Sequence, residues 1–114
     1  MCGIAGASFS PDETVNAKRV AKAMLLSIES RGWDATGFDY MDSTGLIQVH
    51  KAAVDATHFV KRNLCLPKAA QAFIAHTRFA TQGDPIWNDN NHPIAVQDIV
   101  GVHNGCLYND NQIF

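Results

Sequence analysis

Cysteines are too few and too scattered to hold this chain together. Cys2, Cys65 and Cys106 form an odd set, and no two stand at Cys-x-x-Cys spacing. This excludes a disulfide framework as the organising principle. Zinc ligands usually come in pairs at short spacing, so no metal is expected, nor any other cofactor. Cys65 reads as a small buried apolar residue at a helix end. An excess of charge of one sign is lacking too. Nine basic and eleven acidic residues leave a net charge of −2, which gives no electrostatic case for nucleic acid or a membrane surface as a main partner. No apolar run approaches the roughly 20 residues that span a bilayer. The opening Met1-Cys2-Gly3-Ile4-Ala5-Gly6 has no basic segment followed by an apolar stretch. No signal peptide is read there, and the expected compartment is the cytoplasm.

Repeats, low-complexity tracts and linkers are also missing. With 114 residues, 46% of them hydrophobic, the chain suits one small domain with one core, taken as residues 1–114. Gly3 to Phe9 reads as a strand. Ser10-Pro11-Asp12-Glu13 offers an N-cap, a proline at the first helical position and a capping-box glutamate. Ala17, Val20, Ala21, Met24, Leu25 and Ile28 then follow the spacing of one helical face, with the exit near Ser30 to Gly32.

Gly37 to Met41 and Leu46 to His50 form a hairpin around Asp42-Ser43-Thr44-Gly45. Asp55 caps a short helix reaching to Leu64, with Pro67 beyond it. Ala70 to Thr77 is a buried strand, Gln82 to Pro93 a polar loop, and Ile94 to His103 a further strand broken by Asn104-Gly105. This order predicts an α+β domain with a largely antiparallel sheet.

Position 2 carries the chemical interest. A thiol with an ordinary pKa near 8.5 is only a few per cent thiolate at neutral pH. An N-terminal cysteine brings its own base, because an α-amine titrates near 7.7–8.0 and a useful fraction is neutral. Cysteine is small enough for the initiator methionine to be trimmed from it. Accidental placement of a cysteine second in the chain is the alternative.

Five segments bear on that choice. They are Met1-Cys2-Gly3-Ile4-Ala5-Gly6, Arg31-Gly32-Trp33-Asp34-Ala35-Thr36-Gly37, Ala75-His76-Thr77-Arg78-Phe79-Ala80-Thr81, Asn91-His92-Pro93 and Val102-His103-Asn104-Gly105. In identity and order they resemble the blocks of class II glutamine amidotransferases, of the N-terminal-nucleophile hydrolase superfamily. The glucosamine-6-phosphate synthase type is the most similar branch, and the resemblance covers its N-terminal portion.

The resemblance implies an α/β-β/α sandwich, incomplete in this chain, and a reaction in which Cys2 attacks the glutamine side-chain amide to release ammonia. It implies that Arg78 holds the substrate α-carboxylate, a task suited to a planar guanidinium. Asn104 and Gly105 would form the oxyanion hole. Thr81 would line the pocket, and Arg31 and Asp34 would lie near the nucleophile, Arg31 ordering the N-terminal strand.

Trp33 is expected to pack, and His76 and His103 to be structural. His50 and His58 read as surface or satisfied core residues. No catalytic histidine is needed if the α-amine is the base. Gln82 and Phe79 stand where the family usually places histidine and tryptophan. The family's carboxylate for the substrate ammonium lies further past the Asn-Gly turn than this sequence runs. The implied partners are therefore glutamine and a synthase domain or subunit that accepts ammonia, or a completing chain. The alternative is a binding or assembly module that keeps the fold with weak or no activity.

Overall fold

The computed structural model describes residues 1–10, 14–62, 66, 70–106 and 109–113. It is an α+β arrangement, as the order of elements predicts. Strands β1 (Gly3–Ser8), β2 (Ala35–Met41), β3 (Ile47–Ala52) and β4 (Ala72–Arg78) form one sheet in the order β1-β4-β2-β3. Every neighbouring pair in it is antiparallel. Helices α1 (Ala17–Ile28) and α2 (Ala56–Arg62) pack against it. A two-stranded hairpin, β5 (Ile94–Val96) and β6 (Ile99–Gly101), and a four-residue helix α3 (Asp110–Ile113) follow.

The alternation of side chains along a strand divides the sheet into two faces. Phe38 on β2 and Phe73 and Ala75 on β4 meet Ala17, Ala21 and Leu25 of α1 and Ala56 and Phe59 of α2 in one buried cluster. Phe38 and Phe59 stand edge to face with ring centroids 5.8 Å apart, a geometry that adds to their area burial. Gly37 and Asp39 on β2, and Ile74, His76 and Arg78 on β4, alternate onto the other face. The register pairs Gly37 with His76 and Ala35 with Arg78. It pairs Gly3 with Thr77, so Cys2 comes alongside the last residue of β4.

Three expectations are corrected. Helix α1 starts at Ala17, and its N-cap is Asn16, whose side chain accepts from the Arg19 N–H at 3.2 Å. Ser10 is therefore not the cap of α1, and Pro11 to Glu13 lie outside the described residues. Asn is as good a cap as Ser, and a start there puts Ala17, the first buried position, in the first turn. The stretch 94–103 is not one strand but the β5–β6 hairpin, turned at Gln97-Asp98 with Gln97 at φ 53°. The reversal falls at Gln97-Asp98, where no Gly or Pro interrupts the apolar run. Trp33 does not pack into the core; it is 68% exposed.

The other boundaries fall close to expectation. The β2–β3 turn is held by Asp42, whose Oδ1 accepts from Thr44 N–H at 2.8 Å and Leu46 N–H at 3.1 Å. Gly45 supplies the positive φ of 85° that this turn requires. Asp55 Oδ1 accepts from His58 N–H at 2.9 Å at the start of α2. The expected end of that helix at Leu64, with Cys65 and Pro67, lies outside the described residues.

Candidate active site

One end of the sheet brings the sequence motifs together. Cys2 precedes β1, Arg78 ends β4, and the two are neighbours because β1 and β4 pair antiparallel. The Phe79 N–H donates to Cys2 Sγ at 3.3 Å, and the thiol lies 3.6 Å from the Phe79 carbonyl. The Cys2 carbonyl is held twice, by Arg31 Nε at 3.0 Å and by Asn104 Nδ2 at 2.8 Å. These bonds reach from the end of α1 and from the Asn-Gly turn to the same peptide. Met1 projects into solvent.

The segment after α1 fits against the end of β4 because Gly32 lacks a side chain. A Cβ there would come 2.3 Å from the Arg78 carbonyl carbon. Asp34 then ties down the chain that follows β4. Its N–H donates to the Arg78 carbonyl at 3.0 Å, and its Oδ2 accepts from the Ala80 N–H at 2.7 Å.

Arg78 is only 6% exposed. Its Nη1 donates to Asn91 Oδ1 at 3.0 Å, and its Nη2 to the carbonyls of Gln82 and of Gly83, the latter at 2.7 Å. All three acceptors are neutral. Among the described residues no carboxylate lies within ion-pair distance of the guanidinium. A buried charge without a counter-ion is costly, and one beside a cavity is a ready anion site.

That cavity, of about 250 Å³, is lined by Cys2, Arg78, Phe79, Thr81, Gln82, Asn90, His92, His103, Gly105 and Cys106. The space suits a small molecule of amino-acid size. Of the expected site residues, Cys2, Arg78, Thr81 and Gly105 line it. Asn104 and Arg31 reach the site through the Cys2 carbonyl instead. Asn104 spends one amide hydrogen on that carbonyl, and its amide carries a second. Gly105 has φ 148°, a conformation that L side chains rarely adopt.

Two of the lining residues, His92 and His103, adjoin a third histidine, His76. The rings of His76 and His92 lie 4.5 Å apart, and His76 Nε2 approaches the His103 carbonyl at 3.3 Å. Burial, then the neighbouring His92, pushes His76 down to about 4, and burial lowers His92 in the same direction. Both rings are thus neutral near pH 7, suited to packing rather than to carrying charge. Elsewhere His50 stacks 5.2 Å from the Phe38 ring, while exposed His58 meets Asp55 at 2.6 Å. Among the described residues no group of three or more His, Cys, Asp or Glu is placed to hold a metal ion. None of the described helices is long and apolar enough to cross a membrane.

Sequence reasoning missed Asn91 as the partner of Arg78, and Cys106 as a cavity residue. It also missed Lys51, whose Nζ donates to the carbonyls of Asn91 at 2.9 Å and Pro93 at 3.0 Å. No pattern marks Lys51, 40 residues from its partner.

The motifs meet at one end of the sheet, and curated relatives similar over nearly the whole chain show it to be the N-terminal part of a class II glutamine amidotransferase sequence. The chain belongs with the N-terminal part of the glucosamine-6-phosphate synthase type. It is 35% identical over 112 residues, 96% of its length, to the glutamine–fructose-6-phosphate aminotransferase (isomerizing) of Aeropyrum pernix. It is 36% identical over 111 residues to that of Francisella tularensis, again over 96% of its length, and 31% identical over 114 residues, 99% of its length, to that of Sulfolobus acidocaldarius. The chain spans only 17–19% of the length of these relatives. No family model matches the chain. One solved structure, a complex of β-clamp processivity factor and the little finger domain of Pol IV, aligns at a TM-score of 0.41 and 6% identity, covering 74% of this chain and 94% of that one. At that level it carries no argument.

Proposed function

We propose that this chain is the N-terminal part of a type-2 glutamine amidotransferase domain, and that it hydrolyses glutamine through Cys2. The observation that carries the proposal is a nucleophile and a buried guanidinium, without a counter-ion among the described residues, on the same small cavity. An α-carboxylate seated on Arg78 leaves the side-chain amide to reach toward the thiol. The cytoplasm is the compartment this reading implies.

Removal of Met1 frees the α-amine of Cys2, which takes the thiol proton. The sulfur attacks the carbonyl carbon, Cδ, of the glutamine side-chain amide, and the carbonyl oxygen becomes an oxyanion. The second amide hydrogen of Asn104 and the N–H of Gly105 stabilise that charge. The α-ammonium returns the proton to the departing nitrogen, ammonia leaves, and a γ-glutamyl thioester remains. Water hydrolyses the thioester to glutamate and regenerates the thiol. Thr81 lines the pocket, while Arg31 fixes the peptide that carries the nucleophile.

The exposed apolar side chains of the hairpin, Val96 and Ile99, support the α/β-β/α sandwich of N-terminal-nucleophile hydrolases, with β5–β6 as the start of a second sheet. A completing chain would supply that layer and the carboxylate for the substrate ammonium. Ammonia would pass to a synthase domain or subunit. The second reading is an inert binding or assembly module. It is favoured by one observation: no acidic side chain is among the described residues lining the cavity.

Incubating the purified chain with glutamine and measuring glutamate decides between them. The enzyme reading expects release that Cys2→Ala abolishes, and a mature mass lacking Met1. Release that survives Cys2→Ala removes the proposed nucleophile, and no release under any condition supports the inert module.

A further inference from the structure

Arg78 is commonly the kind of residue whose partner is an aspartate or glutamate, yet here the side chain beneath it is an amide. Asn91 is fully buried, and both ends of its side chain are engaged. Oδ1 accepts from Arg78 Nη1 at 3.0 Å, while Nδ2 donates to the Pro85 carbonyl at 2.7 Å and to Asn88 Oδ1 at 3.1 Å. Its backbone is pinned as well. The N–H donates to the Asn88 carbonyl at 3.0 Å, and the carbonyl accepts from Lys51 Nζ at 2.9 Å.

This environment selects an amide over a carboxylate. Two acceptors, the Pro85 carbonyl and Asn88 Oδ1, already face Nδ2, and an oxygen in its place would meet them lone pair to lone pair. The position therefore demands a side chain that is an acceptor toward Arg78, a double donor behind, and neutral. The remaining bonds of Arg78, to the carbonyls of Gln82 and Gly83, leave its charge equally uncancelled. An internal carboxylate would grip the guanidinium bidentately and compete with any incoming one.

We infer that Asn91 is a positioning residue that orients Arg78 without neutralising it, and so sets the preference for a substrate bearing a free α-carboxylate. The inference rests on the reading of Arg78 given above. Lys51 acts through it, because its ammonium clamps the Asn91 and Pro93 carbonyls and fixes where the amide stands.

The test compares L-glutamine with L-glutaminamide, whose α-carboxylate is capped, as substrates of the full chain before and after Asn91→Asp. With glutamine the variant raises KM about 30-fold and leaves kcat within about threefold, because the interaction lost is one of binding. The preference for glutamine over glutaminamide falls at least about tenfold. A merely structural role would depress both substrates together, and an unchanged preference overturns the proposal.

If circular dichroism shows that Asn91→Asp has not folded, Asn91→Ala is read instead. It leaves Arg78 charged but loosely held, so KM for glutamine rises about tenfold and the preference narrows. An unchanged KM overturns the proposal there. Absence of ammonia release by the unsubstituted chain is a different result. It removes the functional reading itself, and this inference with it.

Discussion

Asn104 Nδ2 donates to the Cys2 carbonyl at 2.8 Å across 102 positions of sequence. The bond sets the Asn-Gly turn against the peptide that bears the proposed nucleophile. Arg31 Nε shares the same acceptor at 3.0 Å, so that peptide is fixed from two directions before any substrate arrives. Preorganisation of this kind costs nothing at the moment of reaction, which is where electrostatic stabilisation gains its advantage.

Asn104→Ala is therefore expected to slow glutamine turnover by about 10²–10³-fold, the usual loss for one oxyanion donor. Asn104 is exposed, so the melting temperature should shift little. Steady-state glutamate release together with a thermal melt separates the two effects. A loss of activity matched by unfolding would assign Asn104 to structure alone.

Arg78→Lys keeps the charge and loses the fork. An ammonium cannot span Asn91 and the Gln82 and Gly83 carbonyls while meeting a carboxylate side-on. KM for glutamine should rise by about 10–100-fold with a smaller change in kcat. Calorimetric titration with glutamate measures the same loss without turnover.

Gly37 lies against the His92-Pro93 peptide. A Cβ there would come 2.1 Å from the His92 carbonyl oxygen and 2.9 Å from Pro93 Cδ. Both elements are fixed, β2 by its strand neighbours and the loop by Lys51. Gly37→Ala is expected to cost about 1–3 kcal/mol or more, as overpacking of a rigid site does. Chemical denaturation gives that number directly. Gly45→Ala, with nothing within 4 Å of the added Cβ, loses only what its positive φ demands.

Asp39 is buried on the second face of the sheet, and its Oδ2 has no hydrogen-bond partner among the described residues. Burial pushes its carboxyl up to about 6 from an ordinary 3.8. The folded state then holds the proton more tightly than the unfolded one. This contribution to stability is complete below about pH 3.8 and is lost as pH rises through about 6. His76, lowered from 6.5 to about 4, acts oppositely: its contribution is present above 6.5 and lost as pH falls through about 4. Asp39→Asn should raise stability by about 1–2 kcal/mol at pH 7 and by little at pH 4. Thermal unfolding at the two pH values reads the difference. An equal gain at both would show that the carboxyl is not protonated on folding.

The glycines of the motifs show how sequence and structure divide the explanation. Gly32 and Gly37 were visible as members of one block, yet nothing local to that block requires them. Their reasons lie across the sheet, in the Arg78 peptide and the His92-Pro93 peptide. Helix α1 was legible from its apolar period, because that pattern is written in contiguous residues. Its cap was not, since Ser10 and Asn16 both satisfy the local rule and packing of Ala17 decides between them. The β5–β6 hairpin was hidden for a similar reason, with Gln97 taking a positive φ that its residue type does not announce.

Hydrophobic period, turn chemistry and the motif residues are properties of neighbouring positions, and the chain alone supplied them: the first four strands, the long helix, Cys2 as the second residue, an Arg and an Asn-Gly turn. What folding added was every relationship between distant positions. It set Cys2 against Phe79, seated Arg78 beside the neutral Asn91, and closed a cavity over them. The physical reason is that antiparallel pairing of β1 with β4 converts 77 residues of separation into a contact of 3.3 Å. No local pattern encodes that distance.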